Sequence, residues 1–238
     1  MSDEPRRQDD PESDASLLQK SKALDSAGRY AEALRLIQTV IDRHEPRFGL
    51  LMGGAGGASE AERNKLARDL SEYYGKRGGI LRRMDDIPAA IESYRRGDAL
   101  EQNSDYGPVN STYNRTNLVV LPLFLRPETL AARQDELRRV AAFVSAQTGD
   151  PKDRNSNAPR SGQWWAWADL GLLSLLTGSP ALARDAYDRF ADTGARATDY
   201  KSTVSFLEDC RDRLRAAIPE VAQLIDAEIN FLKNAKSG

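Results

Sequence analysis

Residues 163–190 constrain the fold more than any other stretch of this chain. They contain two apolar segments with helical spacing, separated by the turn sequence TGSP. In that turn, Gly178 suits the left-handed residue that ends a helix, and Pro180 suits the first position of the next one. Gly171 and Ala183 fall where the two helices would cross. The sequence therefore predicts two helices packed closely against each other in a pair.

The spacing within this pair is typical of the tetratricopeptide repeat, with Ser174 in place of the usual tyrosine. The matching residues are Trp167, Leu170, Gly171, Ala183 and Tyr187. A single repeat of this kind cannot bury its apolar face alone. The pattern therefore predicts stacked neighbours elsewhere in the chain.

Two earlier segments carry a weaker form of the same spacing. Aligning them on Ala183 places Ala33 and Ala90 at the equivalent helix crossings, with turns at Gly28 and at Asp85. We therefore predict an all-α fold, a tetratricopeptide-like α-solenoid of stacked antiparallel helix pairs that spans residues 15–234. Its expected parts are repeats near 14–47, 71–104 and 164–197, a pair without the consensus at 108–148, and capping helices at 199–234.

Three segments depart from regular repeats. Residues 1–14 are acidic and contain no aliphatic residue after the first, so we predict a disordered acidic tail. The glycine-rich stretch from 44 to 59 has no phosphate-binding motif, and a flexible insertion explains it best. Residues 119–121 could form a strand, but the following Pro122 favours a break between helices.

Composition and charge exclude several classes of function. The net charge of −2 and the interleaved charges argue against a nucleic-acid partner. A single cysteine, Cys210, excludes an intramolecular disulfide framework. No apolar run is long enough to span a membrane and no signal-peptide pattern is present, so we expect a cytoplasmic location.

Three segments together resemble a known family. They are 73–97, 106–121 with the sequence YGPVNSTYNRTNLVVL, and 164–203, and the similarity extends over roughly residues 60–217. In this order they resemble the tetratricopeptide-like TRAFs-binding domain of stress-activated MAP kinase kinase kinases, a domain also found in bacterial proteins, some associated with TIR domains. The resemblance implies a helical scaffold that binds signalling partners and has no catalysis of its own. This chain carries neither a kinase nor a TIR domain.

The candidate binding residues are mostly polar side chains at helical spacing. Two cations on one predicted helix and two asparagines on the next, Asn114 and Asn117, would form a groove for a bound segment. Asn110 shares the helix face of these asparagines and Tyr113 adjoins it, whereas Trp165 either makes a surface contact or packs on the neighbouring repeat. The same asparagines could instead form a buried amide network between helices, and both interpretations stay open. The set comprises Lys76, Arg83, Asn110, Tyr113, Asn114, Asn117 and Trp165.

Two hypotheses for function follow. The first is a non-enzymatic interaction scaffold that needs no cofactor or metal, binds a peptide or partner domain in its concave groove, and could form a homo-oligomer. The alternative is a small helical hydrolase or nucleotide-handling enzyme that uses the glycine-rich loop or paired carboxylates. His44 is the only histidine and Cys210 the only cysteine, so the sequence offers no metal-ligand spacing.

Overall fold

The structure is a computed structural model that describes residues 12–53, 57–103, 109 and 111–235. These residues form an all-helical protein, as predicted, and no strand occurs among them. The α-helices are α1 (Asp14–Ser26), α2 (Tyr30–Met52), α3 (Glu60–Arg83), α4 (Ile87–Gln102), α5 (Tyr113–Val120), α6 (Pro122–Leu125), α7 (Gln134–Thr148), α8 (Trp164–Leu176), α9 (Pro180–Asp192), α10 (Ala197–Leu214) and α11 (Pro219–Ala235). A 3-10 helix, Pro127–Arg133, precedes α7.

Helices adjacent in sequence pack against each other along most of the chain. The most extensive packing is within the pairs α1 with α2, α3 with α4, α8 with α9, and α10 with α11. Between pairs, α2 contacts α3, α4 contacts α5, and α7 contacts α8. Helix α10 also has contacts outside the sequence of neighbouring helices. It packs against α6, and its Asp209 accepts a hydrogen bond from Arg82 at the end of α3. One large apolar core joins α3 through α11, and a second lies between α1, α2 and α3.

Small residues lie at the helix crossings, as the repeat pattern predicts. Ala33, Ala90 and Ala183 are all fully buried. At Gly171 the neighbouring helix is so close that a Cβ atom would lie 2.5 Å from Cζ of Tyr187. Gly78 of α3 has the same relation to Tyr94 of α4, at 2.7 Å. The repeat pattern therefore corresponds to a specific contact, a tyrosine ring on a glycine backbone, which forms twice among the described residues.

The predicted turns have the expected backbone conformation. Gly28 and Gly178 have φ angles of 75° and 77°, the left-handed region that glycine adopts without steric cost. Asp85 occupies the equivalent turn after α3 with a φ of 62°. An aspartate tolerates this conformation better than most residues, but at a cost relative to glycine.

Several element boundaries differ from the sequence prediction. Helix α2 continues through Pro46 to Met52, so much of the predicted flexible insertion is helical. Phe48 and Met52 explain this, because both pack against the small cluster formed by buried Ala67 and Val109. Residues 12–14 also belong to the described structure, since α1 begins at Asp14, whereas residues 1–11 of the predicted tail lie outside it.

The segment around Pro122 contains a break rather than a strand. Helix α5 ends at Val120 and α6 begins at Pro122, so the predicted interruption is confirmed and the alternative strand is not formed. The helix of this pair begins at Tyr113, later than predicted. Within the described ranges, no helix combines the length and the apolar character that crossing a bilayer would require.

Candidate functional site

A cleft lies between α3, α5, α8 and α10, in each case the first main helix of its pair. Its cavity volume is about 70 Å³, several times the roughly 10–15 Å³ that one water molecule needs. Tyr187, from α9, forms part of the lining. Since residues from four consecutive pairs meet here, the cleft exists only when those pairs are stacked.

Aromatic side chains form one wall of the cleft. Trp164 and Trp165, from the start of α8, are both partly exposed. The Trp164 ring packs edge-on against Phe190 of the core, with centroids 5.9 Å apart. The Trp165 ring instead has the guanidinium of Arg160 5.5 Å from its centroid. Phe206 of α10 contributes a third ring to the lining.

Two arginines at the end of α3 form the positively charged edge of the cleft. Arg83 donates from Nε and Nη2 to both carboxylate oxygens of Asp25, at 2.8 and 2.7 Å. Arg82 forms an ion pair with Asp209 of α10, and its guanidinium lies 4.4 Å above the Phe206 ring. The Arg82 side chain is only 6% exposed, whereas the Asp209 side chain is 45% exposed. Arg82 is therefore a largely desolvated cation with a solvated partner.

The inner end of the cleft contains uncharged donors and one carboxyl group. Tyr187 is fully buried, and its Oη has no hydrogen-bond partner among the described residues. Asp169 of α8 accepts a hydrogen bond of 2.6 Å from the hydroxyl of Thr112. Burial raises the pKa of the Asp169 carboxyl to about 7. This carboxyl group therefore changes its charge near neutral pH.

The structure brings four of the predicted binding residues together. Arg83, Tyr113, Asn117 and Trp165 all line the cleft, although they come from three helices and span more than 80 positions. Their exposure differs, because Asn117 is 1% exposed and its Nδ2 donates to the backbone oxygen of Tyr113 at 2.8 Å. Asn117 therefore lines the cleft with a side chain that is buried and bonded to its own helix.

The other predicted residues lie away from the cleft or outside the described chain. Lys76 is exposed on α3 and forms an ion pair with Glu72, one turn earlier. Asn110 lies outside the described residues. Asn114 is 2% exposed and belongs to an internal network. The proposed groove of Lys76, Arg83, Asn114 and Asn117 is therefore not one continuous surface.

The network around Asn114 joins α3, α4 and α5. Its Nδ2 donates to Glu101 Oε1 at 2.7 Å and to the backbone oxygen of Ser71 at 3.1 Å. The carboxamide packs against Gly75 and Gly97, where a Cβ atom would collide with it. Burial raises the pKa of the Glu101 carboxyl to about 7. This is the buried amide network that the asparagine spacing left open.

Sequence reasoning missed several residues of the cleft. Arg82, Asp169, Tyr187 and Thr203 line it but were not among the candidates. One of them carried a usable signal, because Asp169 is the single charged residue in the otherwise apolar α8. A charged residue in a helix that is buried on most sides indicates either a buried hydrogen-bond network or a functional site. The other three, which lie on α3, α9 and α10, required the packing of those helices to be known.

The residues considered for catalysis lie elsewhere. His44 Nε2 is 2.8 Å from Asp14 Oδ2, and its ring packs edge-on against Tyr73. Cys210 is fully buried, and burial raises the pKa of its thiol well above the usual range. Asp85 lies in a turn and forms an ion pair with Arg213. Residues 54–56 of the glycine-rich stretch lie outside the described structure.

Comparisons with known proteins add no family to this picture. No protein-family model matches the chain, and a search of curated proteins found no similar sequence. Functional inference therefore depends on the cleft and its residues.

Proposed function

We propose that this chain is a non-catalytic, tetratricopeptide-like α-solenoid that binds a segment of a partner protein in the cleft between α3, α5, α8 and α10. The observation that carries the proposal is the convergence of Arg83, Tyr113, Asn117 and Trp165 on one cleft. Helical repeat proteins bind their partners on the surface formed by stacked equivalent helices. The resemblance to TRAFs-binding domains supports a signalling partner.

The character of the cleft supports a protein ligand. Aromatic residues and arginine dominate the binding energy of protein interfaces, because they combine a large apolar area with directional donors. Trp165 has this role in the proposal, since it is partly exposed and its contact is with Arg160 rather than with the core. Trp164, in contrast, packs on Phe190 and helps to hold the wall in place.

A peptide library displayed on phage and selected on the full chain tests this proposal. Selected peptides are synthesised, and their affinity is measured by isothermal titration calorimetry. We expect Trp165→Ala to weaken binding by about tenfold or more, because truncation of a central aromatic residue commonly costs about 2 kcal/mol.

Leu50→Ala is the matched control. Leu50 is a large apolar residue that is 62% exposed on α2, away from the cleft. Its truncation should change peptide affinity by less than about twofold, which corresponds to roughly 0.4 kcal/mol. If the library yields no binding peptide, or if both variants bind every selected peptide like the wild type, the cleft is not the binding site.

A further inference from the structure

We propose that the cleft holds an acidic side chain, Asp or Glu, of the partner segment, with its carboxylate between the Arg82 guanidinium and the hydroxyl groups of Tyr187 and Thr203. This inference depends on the proposed function and names the chemistry of the bound segment. It is based on hydrogen-bond donors that line the cleft and are not fully used by acceptors among the described residues.

Three buried side chains supply these donors. Arg82 has five N–H groups, but Asp209 is its single hydrogen-bond acceptor among the described residues. The Oη atom of Tyr187 is fully buried and has no hydrogen-bond partner among the described residues. Thr203, 8% exposed, has a hydroxyl group for which the described chain provides no acceptor. Of these donors, the Tyr187 hydroxyl is the one that is both buried from solvent and unpaired among the described residues, which is costly, so an acceptor in the cleft would be favoured.

The charge distribution favours an anionic acceptor. Arg82 and Arg83 are adjacent on α3, and both line the cleft. Stacking on Phe206 keeps the Arg82 guanidinium largely desolvated, and hydrogen bonds to a desolvated charge are stronger than those in water. Asp209 is close to half exposed, so a ligand carboxylate can share the guanidinium with it or displace it.

The acidic groups near the cleft do not remove this preference. Asp25 and Asp209 are each paired with an arginine. Asp169 accepts a hydrogen bond from Thr112, and burial raises its pKa to about 7. A neutral fraction of this carboxyl group therefore exists at pH 7, and a bound anion would favour that neutral form.

The test compares acidic peptides with their amides. In each peptide that depends on Trp165 for binding, acidic positions are replaced singly, Glu→Gln or Asp→Asn. We expect one replacement to weaken binding to the wild type by about tenfold or more, in line with a charge-assisted hydrogen bond. In the Arg82→Gln variant the same replacement should change affinity by less than about threefold, because the guanidinium is absent.

Two further variants keep the proposal testable if Arg82→Gln does not fold. Tyr187→Phe retains the ring that packs on Gly171 and removes a hydroxyl that has no partner in the described part of the chain, and Thr203→Val retains the shape of the side chain. Each should reduce the preference for the acid over the amide by about threefold or more. Lys76→Gln removes an exposed charge of α3 outside the cleft, and it should leave the preference unchanged.

The outcomes separate this inference from the proposed function. If peptides bind in a manner that requires Trp165 but acid and amide bind equally, the acidic anchor is wrong and the binding cleft stands. A stronger preference for phosphoserine than for glutamate at the same position would also overturn the carboxylate assignment. If no peptide depends on Trp165, both proposals fail together.

Discussion

The contact between Gly171 and Tyr187 predicts that replacement of glycine by alanine has opposite effects on stability at two helical positions, Gly171 and Gly49. A Cβ atom at Gly171 would lie 2.5 Å from Tyr187 Cζ, about 1 Å closer than the 3.5–4.0 Å at which carbon atoms pack. Tyr187 is fully buried, so its ring cannot move without disturbing the core. Gly49 of α2 is exposed, and apart from its chain neighbours and its own helix backbone no described atom lies within 4 Å of an added Cβ atom.

The magnitudes follow from two opposing effects. Alanine stabilises a helix interior by about 1 kcal/mol relative to glycine, and overpacking in a core costs about 1–3 kcal/mol. Because the overlap at Gly171 is large, we expect Gly171→Ala to lower the free energy of unfolding by about 1–2 kcal/mol. Gly49→Ala should raise it by up to about 1 kcal/mol, because the helix gain is unopposed.

Urea denaturation followed by circular dichroism measures both changes. A double variant, Gly171→Ala with Tyr187→Leu, tests the cause, because removing the ring removes the collision. In that background the alanine should cost less than in the wild type, which gives a coupling energy of about 0.5 kcal/mol or more. Equal stabilisation by Gly171→Ala and Gly49→Ala would refute the close contact of the Tyr187 ring with Gly171 at this helix crossing.

Three further outcomes are expected. Trp167→Ala should lower the free energy of unfolding by about 3–5 kcal/mol because the ring is fully buried, and Trp165→Ala by far less in the same urea titrations; equal losses would contradict the assigned faces. Glu101 and Asp169 bind protons more tightly in the folded state, where burial raises both pKa values to about 7, so stability should fall as pH rises from about 4.5 to 7. Asp169→Asn should weaken this pH dependence when the free energy of unfolding is measured by urea denaturation at several pH values. An unchanged slope of that free energy against pH would contradict a buried Asp169 carboxyl that titrates in this range. Asp85→Gly should raise the melting temperature in a thermal scan, because glycine adopts a positive φ without strain; a lowered value would show that the ion pair to Arg213 outweighs the backbone strain.

Local sequence patterns were sufficient to predict the all-α fold class and much of the pairing between adjacent helices. The periodic apolar residues, the left-handed turn at Gly178 and the small residues at Ala33, Ala90 and Ala183 are short-range features, and each has the predicted conformation or burial. Pro122 likewise marks a real break between helices. These features can be inferred from sequence because backbone sterics and helical periodicity depend on near neighbours.

The sequence predicted which residues share a helix face more reliably than it predicted whether they are buried or available for binding. The asparagine spacing predicted a shared helix face, and Asn114 and Asn117 are indeed both buried, but the groove predicted for them with Lys76 is not formed because Lys76 stays in solvent. The extent of α2 was also underestimated, because Phe48 and Met52 are held by contacts with α3 and residue 109. Burial depends on which helix covers a face, and periodicity does not contain that information.

The cleft, in contrast, could be found only from the tertiary structure. The sequence by itself determined helices, turns and the tyrosine and glycine crossings, because these contacts join segments about 16 residues apart. Arg82 meets Asp209 across 127 positions, and Asp169 meets Thr112 across 57. Such pairs form only after α10 has packed near α3 and α8 near α5, since no local rule positions helices from different pairs relative to one another.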